Sequence, residues 1–187
     1  MWTKLIKIRQ NLLLTFVLAQ IGWFACVLGA APAHHGISEV FGMALALLIT
    51  LWHVTLSPRP LPELQLVLWA GGIGLVGETL LAHTGFFIYQ GTQLYSGGTT
   101  WWLLVMWLLF GSFINTLLAF LKERYVLAFL LGAVGGPLAY ISGSQFGGLG
   151  FTNTLYAGCA IGVLWAIAMP ILIKLSNVYD GSKFLWK

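Results

Sequence analysis

An all-α fold is predicted: a polytopic membrane helix bundle with six transmembrane helices, one integral membrane domain over 1–187, and both termini cytoplasmic. Three observations predict it. Only 7% of the 187 residues are charged and 59% are apolar, whereas ordinary soluble domains run near 25% charged. Six apolar stretches approach the roughly 20 residues that a helix needs to cross hydrocarbon. All nine Lys and Arg fall on one side of a six-span path. The apolar content excludes a disordered chain. Twenty-three glycines without a three-residue period exclude collagen, and two cysteines exclude a disulfide scaffold.

The spans fall near 11–31, 37–56, 64–83, 101–121, 126–145 and 155–175. Pro32, His34, His35 and Gly36 close the first, and Ser57, Pro58, Arg59, Pro60 and Pro62 close the second. Lys122, Glu123 and Arg124 separate the fourth from the fifth, and the glycine-rich 147–153 separates the fifth from the sixth. Lys4, Lys7 and Arg9 before an apolar run, with Ala31-Pro32-Ala33 after it, resemble a secretory signal. The run is about 20 residues rather than the 7–15 of a signal core and contains Gln20, so a retained helix is the better reading.

Lys4, Lys7, Arg9, Arg59, Lys122, Arg124, Lys174, Lys183 and Lys187 lie on one side, and 32–36, 84–100 and 146–154 on the other carry no basic residue. The positive-inside rule makes the basic side cytoplasmic, as in a bacterial inner membrane. The net charge of +4 then reflects topology and anionic lipid, and no nucleic-acid partner is implied. Trp2, Trp52, Trp69 and Trp186 mark the inner interface and Trp101 and Trp102 the outer one.

Small residues let helices approach closely where no hydrophobic drive holds them together. Gly71, Gly74, Glu78 and Ala82 share one face of the third helix. Gly132, Gly136, Gly143 and Gly147 repeat the pattern on the fifth, and Gly158 and Gly162 on the sixth. Pro137 is expected to kink the fifth helix and free a carbonyl. No internal repeat is evident.

Glu78 carries the strongest chemical signal. It lies about fourteen residues, or roughly 21 Å, into the third helix, in the outer half of the membrane. A carboxylate there must be neutralised, paired or hydrated, which makes it a functional candidate as acid or base; the bland alternative is a structural tie between helices. Tyr140 lies equally deep in the parallel fifth helix and is its candidate partner, or else an ordinary buried tyrosine. His34, His35, Glu39 and His83 gather at the outer rim as weak metal candidates, with solvated side chains the commoner outcome. Gln20 and Asn115, with Ser112 and Thr116, read as polar groups joining helices, and Gln20 also as a neighbour of a Glu78 cavity. Cys26 and Cys159 read as small core residues, and His53 as an inner-end residue. No nucleotide, hydrolase, metalloprotease or redox motif is present, so no cofactor is evident. The neutral, aromatic segment 86–100 is expected to lie on the membrane or to lid an outward cavity.

Four segments carry a resemblance to a family: 20–29 (QIGWFACVLG), 74–87 around Glu78, 101–121 with Trp107, Phe110 and Asn115, and 131–140 (LGAVGGPLAY) continuing to Gly147. In these the chain resembles the uncharacterised bacterial inner-membrane family called domain of unknown function 2878. The resemblance implies a cytoplasmic-membrane protein, in some genomes close to genes for fatty-acid modification. It also implies an Asp in most members where this chain has Glu78.

Three functions stay open. The chain is a membrane-embedded enzyme or enzyme partner in lipid or fatty-acid modification with Glu78 as acid or base, a small proton-coupled transporter with Glu78 as coupling site, or a non-catalytic assembly subunit. The corresponding partners are the bilayer, a lipid or small molecule in an outward-side cavity, and another membrane protein or a second copy.

Overall fold

The computed structural model describes residues 9–32 and 37–182. Six long helices account for most of them: α1 (Leu12–Ala30), α2 (Glu39–Thr55), α3 (Pro60–His83), α4 (Trp101–Leu117), α5 (Tyr125–Gln145) and α6 (Thr154–Val178). Two short strands, β1 (Phe87–Tyr89) and β2 (Leu149–Phe151), and a 3₁₀ turn (Ala119–Leu121) complete the order. Four helices, α1, α3, α5 and α6, are long and apolar enough to cross a membrane. The other two are apolar but have 17 residues, a rise of about 26 Å.

The boundaries follow from local chemistry. Asn11, Ser38 and Asn153 cap α1, α2 and α6, each side chain accepting a backbone N–H of the first turn. Pro60 and Pro62, expected in the break before the third span, instead open α3. There the first N–H groups have no helical acceptor, so proline removes nothing. Pro137 lies inside a continuous α5. The Ala133 carbonyl, deprived of its helical donor by that ring, sits against Gly162 of α6.

Helix α4 is the hub, packing on α1, α2, α3 and α6, whereas α5 leans chiefly on α6. Close approach depends on glycine at particular points. A Cβ at Gly42 would collide with the Ala25 backbone, one at Gly111 would press on Ala70, and one at Gly132 would strike the Trp165 carbonyl. Gly71 and Gly74 face Leu108 and Trp107 of α4, and Gly136 faces Trp165. Other members of the predicted stripes do different work. Gly143 has only ordinary contacts, Gly158 has open space beside it, and Gly147 is a turn residue with φ +83°. Cys26 is buried but Cys159 is exposed on the outside of α6, so the core reading fails for Cys159. Trp102 is fully buried with Nε1 donating to the Gln90 carbonyl at 2.8 Å, whereas Trp101 remains exposed. Trp102 therefore serves the core rather than an exposed belt.

One end of the bundle carries a polar knot. Arg9 and Glu63 are both fully buried and paired at 2.5 Å. Arg9 Nε donates to the His53 carbonyl at 2.9 Å, and Asn115 Nδ2 donates to Glu63 Oε2 at 3.1 Å and the Tyr179 carbonyl at 3.0 Å. Beside it Lys122 pairs with Asp180 at 2.7 Å, and Ser57 donates to the Gly181 carbonyl at 2.6 Å. Charge is thus buried within the protein at this end as well as at Glu78: Arg9 and Glu63 turn inward because each neutralises the other. Asn115 joins elements as expected.

Removing one member of a buried pair strands the other charge, at a cost of about 3–5 kcal/mol. Glu63→Gln should destabilise the protein by that order in a detergent unfolding titration, and Arg9→Met with Glu63→Met together should cost less than either alone. Asp180 supplies the pH dependence. Burial alone would raise it, but Lys122 and Ser182 hold it below its ordinary value of 3.8. A carboxylate depressed by folding stabilises above its unfolded pKa and loses that contribution as pH falls through the folded value. Stability should therefore drop in acid below about pH 4, and Asp180→Asn should remove that part of the slope.

Candidate functional site

Glu78 lies fully buried at the fifth turn of α3, and three elements bring donors to it. Trp107 Nε1 of α4 donates to Oε1 at 2.9 Å. The Tyr140 hydroxyl of α5 donates to the same oxygen. The Tyr89 hydroxyl of β1 donates to Oε2 at 3.1 Å. The carboxyl group therefore has donors on both oxygens within an otherwise apolar interior, as burial of such a group requires.

Local sequence explains each approach. Gly74 stands one turn before Glu78, and the Trp107 indole occupies the space its missing side chain leaves. Tyr140 is eight residues beyond Gly132 on the face of α5 turned to α6, which lets its ring reach into the bundle. Tyr89 is placed by the antiparallel pairing of β1 with β2, in register Phe87↔Phe151, Ile88↔Gly150 and Tyr89↔Leu149. The Phe87 and Tyr89 rings stack at 5.6 Å.

The segment 86–100 is strapped down over this end. Glu39 accepts from the Thr92 backbone N–H at 2.9 Å and its hydroxyl at 2.8 Å. The Tyr95 hydroxyl donates to Thr79 Oγ1 at 3.0 Å. His83 Nδ1 lies 2.7 Å from the Thr79 carbonyl of its own helix. Glu39 and His83 thus have separate partners, His34 and His35 lie outside the described residues, and no group of three His, Cys, Asp or Glu with metal-holding geometry occurs among the described residues. Gln20 lies in a surface crevice with Trp23, Phe24, Ala139, Ser142 and Phe146, not among the hydrogen-bond partners of Glu78.

A cavity of about 400 Å³ opens between α4 and α5, which do not pack on one another along their length. Its wall includes Tyr140 and Trp107, two of the three partners of Glu78, with Phe110, Phe113, Gly135 and Trp165. Trp107 and Trp165 stack face to face at 4.4 Å, and Phe110 stands edge-on to Trp165 at 5.1 Å. Among the described residues, no charged one lines the cavity. Glu78 sits behind this wall, linked to the cleft through the Tyr140 hydroxyl and the Trp107 indole.

The pairing of Glu78 with Tyr140 was legible from matched depth. Tyr89 and Trp107 were not singled out as its partners. A signal for Trp107 exists: an indole N–H deep in an apolar helix needs an acceptor, and Glu78 is the nearest carboxyl group in depth. Nothing local marks Tyr89, whose position depends on a strand partner sixty residues away in the chain.

No curated protein and no solved structure matches the chain. A family described as protein of unknown function (DUF2878) matches residues 12–171, a stretch that holds Glu78, all three of its donors and every residue of the cleft. The chain belongs to that family.

Proposed function

We propose that this is a six-span protein of the bacterial cytoplasmic membrane, with both termini cytoplasmic, that acts on a lipid chain in lipid or fatty-acid modification, as enzyme or as the chain-holding partner of one. The supporting observation is the single polar hydroxyl that joins two unlike environments: Tyr140 stands on the wall of an apolar cleft and donates to a carboxyl group sealed behind it. A cleft of this size and lining suits a ligand taken from hydrocarbon rather than from water. The basic residues at the α1, α3 and α5 starts, Arg9, Arg59 and Arg124, support the orientation, because cytoplasmic loops collect Lys and Arg.

In this reading Tyr140 exchanges a proton with the chain in the cleft, and Glu78 receives or returns it. Trp107 and Tyr89 hold the carboxyl group in place while the proton moves. Both act by positioning, since neither passes a proton to the cleft here.

Lipid analysis of a deletion strain carrying wild type, Glu78→Gln or Tyr140→Phe tests the proposal. General acid–base groups contribute roughly 10²–10⁴-fold to rate, so both variants should reproduce the lipid change of the deletion while the protein accumulates normally. Unchanged lipids in all strains, with proton-driven uptake lost in proteoliposomes of Glu78→Gln, would move the assignment to transport. Full complementation by both variants would remove the acid–base role.

A further inference from the structure

The cleft has a polar neighbour that proton exchange at Tyr140 does not use. Its α1 wall is Ala19, Trp23 and Val27. Beside that wall lies the surface crevice of Gln20, Trp23, Phe24, Ala139, Ser142 and Phe146. Trp23 and Ala139 line both spaces, which therefore adjoin at these two side chains. Helices α1 and α5 do not pack on one another along their length. The Trp23, Phe24 and Phe146 rings fill the gap instead, edge to face at 4.9, 6.1 and 5.3 Å. Rings turn aside more easily than packed backbones separate, so this is where a chain can pass from the bilayer to the cleft.

Gln20 gives the crevice its chemistry. Its side chain is partly exposed, and its amide has no hydrogen-bond partner among the described residues. The amide atoms remain accessible from the crevice. A carboxamide in an apolar setting with its hydrogen bonds unmade is costly, and this one offers two N–H donors and an acceptor oxygen. The Ser142 hydroxyl beside it already donates to the Leu138 carbonyl at 2.8 Å, so it adds an acceptor and no donor. Among the described residues no charged side chain lines either space, so an ionised group there would lack a counter-charge. A neutral carbonyl answers the Gln20 donors without that penalty.

Depth fixes the direction of the chain. Ser142 lies in the last turn of α5 and Phe146 at its C-cap, which on the six-span path is the side of the outer leaflet's ester groups. From there the cleft runs inward along α5 from Gly143 to Leu131, about 18 Å at 1.5 Å per residue, against about 15 Å for one leaflet of hydrocarbon. Gly135 leaves room on this path, since a Cβ there would meet nothing within 4 Å. Tyr140 stands at the crevice end of the run, two residues before Ser142.

We infer that the crevice at Gln20 holds the neutral ester of an acyl lipid from the outer leaflet, its carbonyl accepting from the Gln20 amide and its chain threaded past Trp23 into the cleft. This rests on the lipid reading above and names the chemistry and orientation of its ligand. Tyr140 then faces the carbonyl end of the chain and not its methyl end.

Native mass spectrometry of the purified full chain tests this. The probes are dipalmitoyl phosphatidylcholine, its dialkyl ether analogue without carbonyls, methyl palmitate and palmitate. The part of the binding lost in Gly135→Leu reports the cleft, since that side chain fills it without meeting the fold. The ester phosphatidylcholine should occupy the cleft at a concentration roughly two- to tenfold lower than the ether, the worth of one net hydrogen bond, and palmitate should bind more weakly than methyl palmitate. Gln20→Leu should equalise ester and ether while ether binding persists, which also shows that the variant is folded. Binding of methyl palmitate without the phosphatidylcholine identifies a detached ester, and binding of both an ester on a glycerolipid; either result supports the inference. Equal binding of ester and ether by wild type, an ester preference that survives Gln20→Leu, or equal binding of palmitate overturns it. So does a dimer that Gln20→Leu dissociates with no ester preference, which would assign the amide to an interface between copies. An ester preference that depends on Gln20, together with full complementation by Glu78→Gln, would sink the acid–base proposal and leave this one standing; lipids that depend on Glu78 without an ester preference would do the reverse.

Discussion

Everything around the cleft is arranged so that the carboxyl group of Glu78 can exist where there is no water. Leaving such a group unpaired in an apolar interior costs several kcal/mol, more than any single packing contact in the bundle returns. The answer is distributed. Gly74 makes room for the Trp107 indole, β1 pairs with β2 to carry Tyr89 inward, and α5 presents Tyr140 from the far side. Three elements, α4, α5 and β1, thereby converge on one residue of α3. Loss of the Glu78 acceptor would leave an indole and two phenols to find other partners.

The opposite end obeys the same rule with full charges. Arg9 and Glu63 are held by each other, by the His53 carbonyl and by Asn115. This ties the segment before α1 to α3 and, through the Tyr179 carbonyl, to the end of α6. Between the two polar knots lies the apolar cleft. Its openness follows from connectivity: α4 is the hub for four neighbours, whereas α5 leans mainly on α6, so the α4–α5 gap is the seam that packing leaves unfilled. The Trp107–Trp165 stack joins α4 to α6 beside that gap.

Much of this was legible in the sequence because helices have a fixed period and rise. The six helices, the glycine face of α3 with Glu78 on it, and the equal depth of Tyr140 all follow from 3.6 residues per turn and 1.5 Å per residue. What escaped depends on non-local geometry. Arg9 and Glu63 sit at helix starts, where charged residues ordinarily reach for water, and no local pattern says that two of them will turn inward together. Tyr89 is placed by three residues of strand pairing, too short to announce itself. Gly147 fitted a packing stripe but lies past the end of α5, where its φ of +83° serves a turn. Cys159 followed hydropathy rather than helix face, and its face looks outward.

A chain-binding cleft with a proton-exchanging hydroxyl on its wall unites these features, and the link from cleft to carboxyl group is its central claim. Infrared spectroscopy of the protein in bilayers tests that link most directly. The carboxyl band of Glu78 is isolated as the difference between wild type and Glu78→Gln, and the same difference is then taken in a Tyr140→Phe background. If Tyr140 donates to Glu78, losing that donor shifts the band between the two backgrounds. A band at the same frequency in both would mean that the hydroxyl and the carboxyl group are not joined, and the account of the site would be wrong.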